Sequence, residues 1–391
     1  FSDPAGAVRH ISALTSGVSR RATIQKTLLP VLIRWMAEGI DPDRALISFR
    51  RLSESLGETH WFLKMLRDSS GAAERLMRVL SSSSFIARLL EHIPDSSAWF
   101  GDPSSLQPTG SEKLVLEMRS IIEREDVETA AELIRQIRRR EVLRLAIGAV
   151  LGELAMNEVS KGLTDLVDSY LTCMLELAKS QSGAEIDFGI VAMGRWGGGE
   201  LGFGSDADAM LVYLSDSEGA QSLAEKVASQ LMQLSKDSLL EFELDLDLRP
   251  EGKNGPRIRS LASYQAYYEK WADTWEFQAL LRARIITGSE VLQSSFTSII
   301  DTYRYPAELD AKKLTEIRRI KARVEGERLP LGADPTRHLK LGRGSISDVE
   351  WLIQLYQLRY AGLHPQLRSL GTLETLDQLV ELKLLSAPQA E

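Results

Sequence analysis

The sequence has little of several residue types, and each shortage excludes a class of structure or site. It has one cysteine, Cys173, so it forms no intrachain disulfide and no cysteine-based zinc site. Its five histidines include no HxxxH-type pair, so we expect no histidine metal centre. Long apolar runs are also missing. One of the more apolar stretches, residues 145–152, lies between the charged residues Arg144 and Glu153. A membrane-spanning helix needs about 20 apolar residues, so we expect no membrane partner.

Basic residues are not in excess either. The chain has 47 Lys and Arg against 55 Asp and Glu, which gives a net charge of −8. A protein that coats nucleic acid needs a basic field, so we expect no nucleic-acid partner. The length of 391 residues predicts two or three domains. The chain begins at Phe1 without an apolar leader, so we expect a piece of a longer cytoplasmic protein.

Hydrophobic periodicity predicts that residues 1–180 are almost wholly helical, as in the recurrence of Leu29, Leu32 and Met36. Serines 81–84 precede an apolar run, so one of them is expected to cap the helix that follows. Further on, the chain carries a run of five arginines: Arg135, Arg138, Arg139, Arg140 and Arg144. Such a run usually marks a solvent-exposed helix face, and contact with an acidic partner is the alternative.

After Gly183 the pattern changes to short apolar runs that are typical of strands. Three strands are predicted, at Phe188–Met193, Asp208–Leu214 and Glu241–Leu248. The stretch between the second and third strands has room for one helix, over Gln221–Leu240. Helical periodicity returns near Leu261 and continues to the end, with a loop around residues 330–335.

These patterns predict an α+β fold that is predominantly helical, with a small mixed sheet flanked by helical regions. The expected division is a helical region at 1–180, a core with the sheet at 181–300 and a second helical region at 301–391.

The densest signal is the glycine-rich segment Gly194–Asp208, for which two interpretations compete. Gly197, Gly199 and Gly202 match the GxGxxG pattern of dinucleotide-binding folds, and Asp216 is near the place of the ribose-binding acid. Only thirteen residues separate Gly202 from Asp216, and they would have to supply a helix and a full strand. The spacing therefore disfavours dinucleotide binding.

The other interpretation is a phosphate-binding turn followed by a metal site. Glycines let the backbone approach phosphates, and a helix that begins near Gly198 would present free N–H groups to them. Asp206 and Asp208 are two residues apart, so on a strand both carboxylates project from one face. Two such carboxylates repel each other unless a cation lies between them, and Mg²⁺ prefers oxygen ligands of this kind.

The third predicted strand adds more acids to the same region. Glu243, Asp245 and Asp247 alternate with apolar residues, so the three carboxylates share one face. A solvated edge strand could carry such a face. Beside Asp206 and Asp208, the acids are better explained as completing a two-metal site.

Four ordered motifs carry a resemblance to a known family, at residues 194–208, 248–255, 274–284 and 340–350. The Gly-Ser-Asp-x-Asp turn, followed by a strand with a third Asp, resembles nucleotidyltransferases of the DNA polymerase β type. The longer motifs are similar to those of bacterial glutamine synthetase adenylyltransferases. Glu200-Leu-Gly is more similar to the adenylylating half of that family than to its AMP-removing half.

The resemblance implies an enzyme that moves AMP from ATP to a tyrosine hydroxyl of glutamine synthetase and releases pyrophosphate, with two Mg²⁺ ions. It makes glutamine synthetase the protein partner and the PII nitrogen-signalling protein a possible second one. Phosphorolytic removal of AMP is an alternative, since it uses the same acids. A non-catalytic nucleotide-sensing module is another.

Carried over by position, Asp206 and Asp208 match the family's metal-binding pair, and Asp245 matches its third acid. The resemblance thus makes these three residues the catalytic and metal-binding candidates. Asp247 stands where the family pattern often has Arg, so the choice between Asp245 and Asp247 stays open. The nucleotide-binding candidates are Gly194, Gly197, Gly198, Ser205, Arg249, Lys253, Arg282 and Arg284.

Each candidate outside the acids has a second interpretation. Guanidinium groups fork onto phosphate oxygens, so the arginines suit phosphate contacts. They could equally form structural salt bridges to the nearby acids Glu251, Asp273 and Glu276. The Ser205 hydroxyl could bond a phosphate or cap its own turn. Lys340, Asp348 and Glu350 either line the same cleft or, as we favour, anchor a helix through ion pairs.

Overall fold

The computed structural model describes residues 1–18, 20–57 and 59–390 of the chain. Over these residues helices predominate, and five short strands form one small sheet with parallel and antiparallel pairs. This confirms the predicted fold class, α+β and predominantly helical. None of the described helices is both long and apolar enough to cross a membrane.

The chain forms two compact units. The first consists of Phe1–Glu125 and Glu132–Tyr170, and the second of Asp126–Ala131 and the residues from Leu171 onwards. The division into three regions that the sequence suggested stays a prediction.

The first unit is built from helices, the last two of which also contribute residues to the second unit. Their bounds are α1 Pro4–Thr15, α2 Arg20–Ala37, α3 Pro42–Leu56, α4 His60–Asp68, α5 Ser70–Ser82, α6 Ser84–His92, α7 Ser111–Ile122, α8 Val127–Leu151 and α9 Met156–Ser182. Two 3₁₀ segments, Pro94–Gly101 and Pro103–Leu106, connect α6 to α7. The Ser83 hydroxyl accepts a hydrogen bond from the Ile86 N–H at 3.3 Å, which confirms the predicted serine cap.

The arginine run lies on α8, and the prediction of a solvent-exposed face was wrong. Arg138 is only 6% exposed. Arg140 donates two hydrogen bonds to the Glu117 carboxylate, at 2.8 and 2.7 Å. The buried Glu141 accepts from Arg140 at 2.9 Å and from Arg144 at 3.0 Å. Carboxylates on α7 and α8 therefore hold these cations inside the unit.

The second unit contains the sheet. Its strands are β1 Asp187–Ala192, β2 Ala207–Leu214, β3 Leu244–Asp245, β4 Ile258–Ser260 and β5 Arg284–Ile285. Its helices are α10 Gly194–Gly197, α11 Ala220–Ser235, α12 Leu261–Lys270, α13 Thr274–Leu280, α14 Glu290–Arg304, α15 Ala311–Glu327, α16 Ile346–Tyr360, α17 Thr372–Glu381 and α18 Ala387–Ala390. Two 3₁₀ segments, Gly252–Asn254 and Pro365–Arg368, lie between them.

Strand β2 is at the centre of the sheet. It pairs antiparallel with β1, which in turn pairs antiparallel with β5. It also pairs parallel with β3 at its start and with β4 further along. The register places Ala207 opposite Leu244 and Asp208 opposite Asp245. The start of β2 is therefore where the acids of two strands meet.

The first two predicted strands and the helix between the second and third are confirmed. The predicted third strand, Glu241–Leu248, was wrong in extent, because only Leu244 and Asp245 pair with the sheet. Phe242 instead bridges to Asp237, and the chain turns at Asp247. Strands β4 and β5 are three and two residues long and were not anticipated.

Two apolar clusters support the sheet and the helices that follow it. One packs α12 and α14 against the sheet, and the buried Tyr264 hydroxyl there donates to the Leu211 carbonyl at 3.1 Å. The other joins α16 and α17 around Ile353, Leu358 and Leu379. The second cluster holds the C-terminal helices as one body, which lets them present side chains at fixed positions.

Candidate functional site

A polar pocket of about 230 Å³ lies where the glycine-rich turn meets the start of β2. It is lined by Gly194, Arg195, Gly204, Ser205, Asp206, Asp208, Arg282, Lys340, Glu350 and Gln354. Six of these residues belong to the segment 194–208, which holds the turn and the start of β2, and three come from the C-terminal segment. The pocket thus combines residues about 150 positions apart in the chain.

Asp208 is the most electrostatically perturbed acid of this pocket. Its side chain is partly buried, and Asp245 is its partner in the β2–β3 ladder. Burial, the Asp245 carboxylate and the Asp206 carboxylate together raise the pKa of Asp208 to about 6. Lys340 acts in the opposite direction and lowers that pKa. The fold therefore brings together the three acids that the sequence singled out.

Asp245 and Asp247 have different surroundings, although the sequence placed both on one strand face. Asp245 lies in the ladder beside Asp208, and its Oδ1 accepts the Asp247 N–H at 2.7 Å. Asp247 lies in the turn after β3 and pairs with Lys253 at 3.1 Å. The expectation of one shared face fails because the strand ends before Asp247. The geometry favours Asp245 as the acid associated with Asp208.

Among the glycines of the turn, Gly194 is the one at which the pocket requires a residue without a side chain. Its backbone has φ +53°, and a Cβ atom there would collide with the Asp208 carboxylate. Gly197 and Gly198 do not line the pocket. Gly197 packs closely against the Arg282 and Ala192 carbonyls, and Gly198 lies near the Arg282 side chain. Their lack of a side chain allows close packing against the β5 side of the sheet.

The expected helix start near Gly198 was wrong. The helical turn α10 runs from Gly194 to Gly197, and Gly198 is already in the turn that follows. Ser205 does line the pocket, but its hydroxyl also accepts the Gly202 N–H at 2.9 Å. That bond closes the loop immediately before Asp206, so the serine helps to position the acid.

The structure does not bring Arg249 or Lys253 to the pocket. The buried Arg249 guanidinium donates to the Leu246 carbonyl at 2.8 Å and to the Gly255 carbonyl at 3.2 Å. It thereby closes the loop after β3. The Lys253 side chain is 80% exposed beside Asp247. Phosphate contact by either residue stays a prediction.

Arg282 lines the pocket from a buried network. Its Nη1 donates to Glu200 at 2.8 Å, and its Nη2 donates to the Thr372 hydroxyl. Glu200 also accepts from the Thr372 N–H, at the start of α17. This network ties the glycine-rich turn to the C-terminal helices. Arg284 lies on β5, where its Nη2 donates to the Trp196 carbonyl at 3.5 Å.

The C-terminal segment supplies residues that sequence patterns identified only in part. Lys340 and Glu350 line the pocket, whereas Asp348 pairs with Lys321 on α15 and so has the favoured helix-anchoring role. Lys340 makes no ion pair with any described residue. Glu350 accepts from Arg195 Nε at 3.3 Å.

Sequence reasoning missed three lining residues. Arg195 and Gly204 lie inside the glycine-rich segment that was singled out, so that motif contained them without distinguishing them. Gln354 lies four residues after Glu350 on α16. Helical spacing puts the two on one face, and this signal could have found it.

The donor set of the pocket fits a hard divalent cation that is shared with a substrate. Among the described residues, no three or more His, Cys, Asp or Glu side chains are grouped so that they could together hold a metal ion. Mg²⁺ is commonly bound through one or two carboxylates, with substrate phosphates completing its shell. Asp206 and Asp208 supply two such carboxylates, and their mutual repulsion would be relieved by a cation.

Comparison with known proteins finds relatives that match nearly the whole chain. A bifunctional glutamine synthetase adenylyltransferase/adenylyl-removing enzyme of Leifsonia xyli subsp. xyli is 53% identical over 96% of this chain. Enzymes of that name from Bifidobacterium longum and Streptomyces avermitilis are 44% and 42% identical, each over 100% of it. The chain spans only 38%, 38% and 42% of the length of these three relatives.

Two family models match different parts of the sequence. Residues 311–391, which include Lys340 and Gln354, match the GlnD PII-uridylyltransferase model. Residues 73–299, which include the sheet and the three acids, match the model for glutamate-ammonia ligase adenylyltransferase. Because the second match covers more than half of the chain, the protein belongs to the glutamate-ammonia ligase adenylyltransferase family.

Proposed function

We propose that this chain transfers AMP from ATP to a tyrosine hydroxyl of glutamine synthetase and releases pyrophosphate. The observation that carries the proposal is the position of Asp208, which is partly buried between two further acids in a pocket with a lysine. An adenylyltransferase takes its adenylyl group from a nucleotide, and members of the wider nucleotidyltransferase group usually need a divalent metal.

Asp206 and Asp208 would hold the metal, and direct contact of Asp245 with it stays a prediction. Asp206 and Asp208 supply the pocket carboxylates, and Asp245 is the third acid of the set. When bound, two Mg²⁺ ions would lower the pKa of the attacking hydroxyl and neutralise charge on the departing pyrophosphate. The tyrosine hydroxyl gives its proton to solvent and its oxygen forms a bond to the α-phosphorus, while the bond from that phosphorus to the oxygen shared with the β-phosphate breaks and pyrophosphate leaves with that oxygen.

The remaining pocket residues orient the nucleotide. Lys340 has no other ionic partner among the described residues, so its ammonium group is available for a phosphate. Gly194 leaves room next to Asp208 that a side chain would fill. The pocket lining contains neither His nor Cys, which is consistent with direct transfer between the two substrates. Catalysis then comes from positioning and charge stabilisation.

The first test is transfer of label from ATP labelled at the α-phosphate to purified glutamine synthetase in the presence of Mg²⁺. Label on glutamine synthetase is expected with the unmodified chain and is expected to be absent with Asp206→Asn or Asp208→Asn. Asp216→Asn is a matched control, because that exposed acid follows β2 outside the pocket. Equal labelling by all of these variants would contradict the proposal.

Removal of AMP is the second candidate, because the relatives are named for both reactions. The same acids would serve it, with phosphate attacking the α-phosphorus of adenylylated tyrosine. Incubation of adenylylated glutamine synthetase with phosphate would then release ADP. Release of ADP with no labelling in the forward assay would replace our proposal with this one.

We also propose cytoplasmic action and regulation by the PII protein. The match of residues 311–391 to a family named for PII supports the second point. A change in transfer rate on addition of purified PII is the expected result. An unchanged rate over a full titration would remove PII as a partner of this chain.

A further inference from the structure

Helix α16 forms one wall of the pocket through two side chains one turn apart. Glu350 and Gln354 both line the pocket, and Glu350 accepts a hydrogen bond from Arg195. Gln354 belongs to none of the sequence motifs. Its role has to be inferred from its own hydrogen bonds.

Gln278 on α13 fixes how Gln354 is oriented. The Nε2 of Gln278 donates to the Oε1 of Gln354 at 2.7 Å. Gln278 is 5% exposed, and its own Oε1 has no hydrogen-bond partner among the described residues. Helix α13 is held by a capping box between Asp273 and Glu276, so the donor is attached to a rigid element.

The consequence concerns the other end of the Gln354 amide. Because its oxygen is occupied by Gln278, the group that remains for a ligand is its NH₂. No described residue accepts a hydrogen bond from that NH₂. Gln354 therefore brings to the pocket wall a hydrogen-bond donor that no described residue uses.

The charges around Gln354 indicate which part of a nucleotide it faces. Glu350 is one turn away on the same helix face and is paired with Arg195 at 3.3 Å, so the cation beside it already has a carboxylate partner. Lys340, beside the acids that perturb Asp208, is the better phosphate contact. A neutral donor beside a carboxylate suits the uncharged nucleoside half, whose acceptors are ring nitrogens and ribose oxygens.

We propose that Gln354 is a nucleotide-contacting, specificity-determining residue. Its Nε2 donates a hydrogen bond to an acceptor atom of the nucleoside half of ATP. Gln278 is the positioning residue that keeps the donor end of Gln354 directed into the pocket. The inference rests on the proposed function, in which ATP is the substrate of this pocket.

The test is equilibrium binding of ATP to the full chain in the presence of Mg²⁺, without glutamine synthetase. Gln354→Ala is expected to weaken ATP binding about tenfold, the usual effect of losing a buried hydrogen bond. The exposed Gln265 on α12 provides a matched control, and Gln265→Ala should leave the affinity unchanged. Thermal midpoints of all variants would show whether each one folds.

Analogues of ATP identify the acceptor. The 1-deaza, 3-deaza and 7-deaza forms each remove one ring nitrogen, and the 2′-deoxy and 3′-deoxy forms each remove one ribose oxygen. One of these five is expected to bind the unmodified chain more weakly than ATP but to bind Gln354→Ala as well as ATP does. If every analogue that binds the unmodified chain more weakly than ATP also binds Gln354→Ala more weakly than ATP, by the same factor, the inference is wrong.

Gln278 is tested by reversing the direction of the amide pair. In Gln278→Glu, measured at a pH at which the new carboxyl group is ionised, that group can only accept, so Gln354 must turn its NH₂ toward it and present oxygen to the pocket. ATP binding is expected to weaken about tenfold, and the analogue that identified the acceptor should lose its penalty. Gln278→Met keeps the size without either polar group, and a smaller loss is expected. A purely structural role would weaken ATP and all analogues equally and would overturn the proposal.

The failure of this inference and that of the proposed function give different results. Transfer of AMP to glutamine synthetase together with unchanged analogue penalties would overturn only the role of Gln354. If one analogue binds Gln354→Ala as well as ATP does but no AMP is transferred to glutamine synthetase, only the proposed reaction is overturned. Failure of the unmodified chain to bind ATP would overturn both.

Discussion

Buried charges are compensated in one region of the molecule and left uncompensated in another. On α8 of the first unit, buried Glu141 lies between two arginines, and Arg140 is bonded to Glu117 through both terminal nitrogens. At the start of β2 in the second unit, Asp208 lies beside two further acids. Compensated charges hold a fold together, whereas uncompensated ones mark a place for a ligand.

The pKa directions express this difference. The hydrogen bonds from Arg140 hold the pKa of Glu117 below its ordinary value, and those to Glu117 raise the pKa of Arg140. Burial and neighbouring carboxylates instead raise the pKa of Asp208 to about 6. On α8 the fold stabilises the charged forms. In the pocket it destabilises one, and a bound cation would reverse that effect.

The largest expected effect is on activity at the uncompensated acid. Asp208→Asn should lower the rate of AMP transfer by at least about a thousandfold, because several kcal/mol of transition-state charge stabilisation is lost with the metal ligand. Its Tm should not fall, since the change removes a repelled charge. A measured loss of both activity and folded structure would contradict the assignment of Asp208 to function.

At the compensated acid Glu141, the expected effect is on stability instead of activity. Glu141→Gln leaves Arg140 and Arg144 with one buried partner fewer, and it should lower the free energy of unfolding by about 3 kcal/mol. Urea unfolding of the full chain measures this change. Glu123→Gln is the matched control, because Glu123 is exposed at the end of α7. Equal midpoints for the two variants would mean that the α8 pairs do not stabilise the unit.

A smaller effect is expected at the lysine of the pocket. Lys340→Met should weaken ATP binding roughly tenfold to hundredfold, since a hydrogen bond to a charged group contributes about 1.5–3 kcal/mol. The exposed Lys270 at the end of α12 supplies the control, and Lys270→Met should bind ATP normally. Equal affinity of the two variants for ATP would show that Lys340 does not contact the nucleotide.

The last expected effect is a pH dependence of stability. Asp208 has a pKa of about 6 in the folded chain against an ordinary value of 3.8, so its ionised form costs stability. That cost is fully present above about pH 6 and disappears as the pH falls toward about 4. Without metal or nucleotide, Asp208→Asn should therefore be more stable than the unmodified chain at high pH. The difference in stability between the two proteins should shrink as the pH falls from about 6 to about 4. A difference that is the same at all pH values would show that the pKa of Asp208 is not raised.

Local patterns predicted the parts of the site that are close together in sequence. The Ser-Asp-x-Asp turn identified Asp206 and Asp208, and apolar runs located β1 and β2. The same reasoning overextended the third strand, because alternation continues past Asp245 while pairing stops there. It also left open whether Arg249 contacts phosphate or has a structural role, since sequence cannot show that its guanidinium closes a loop.

By itself, the sequence determined the fold class, the two central strands and the acids at the start of β2. It did so because strand alternation and glycine turns depend on neighbouring residues. Only the tertiary structure decided that arginines on α8 are paired with carboxylates and that Lys340 and Gln354 line the pocket of the acids. Those outcomes depend on which charges the fold brings together, since an ion pair or a pocket forms between side chains that are near in space and often distant in the chain.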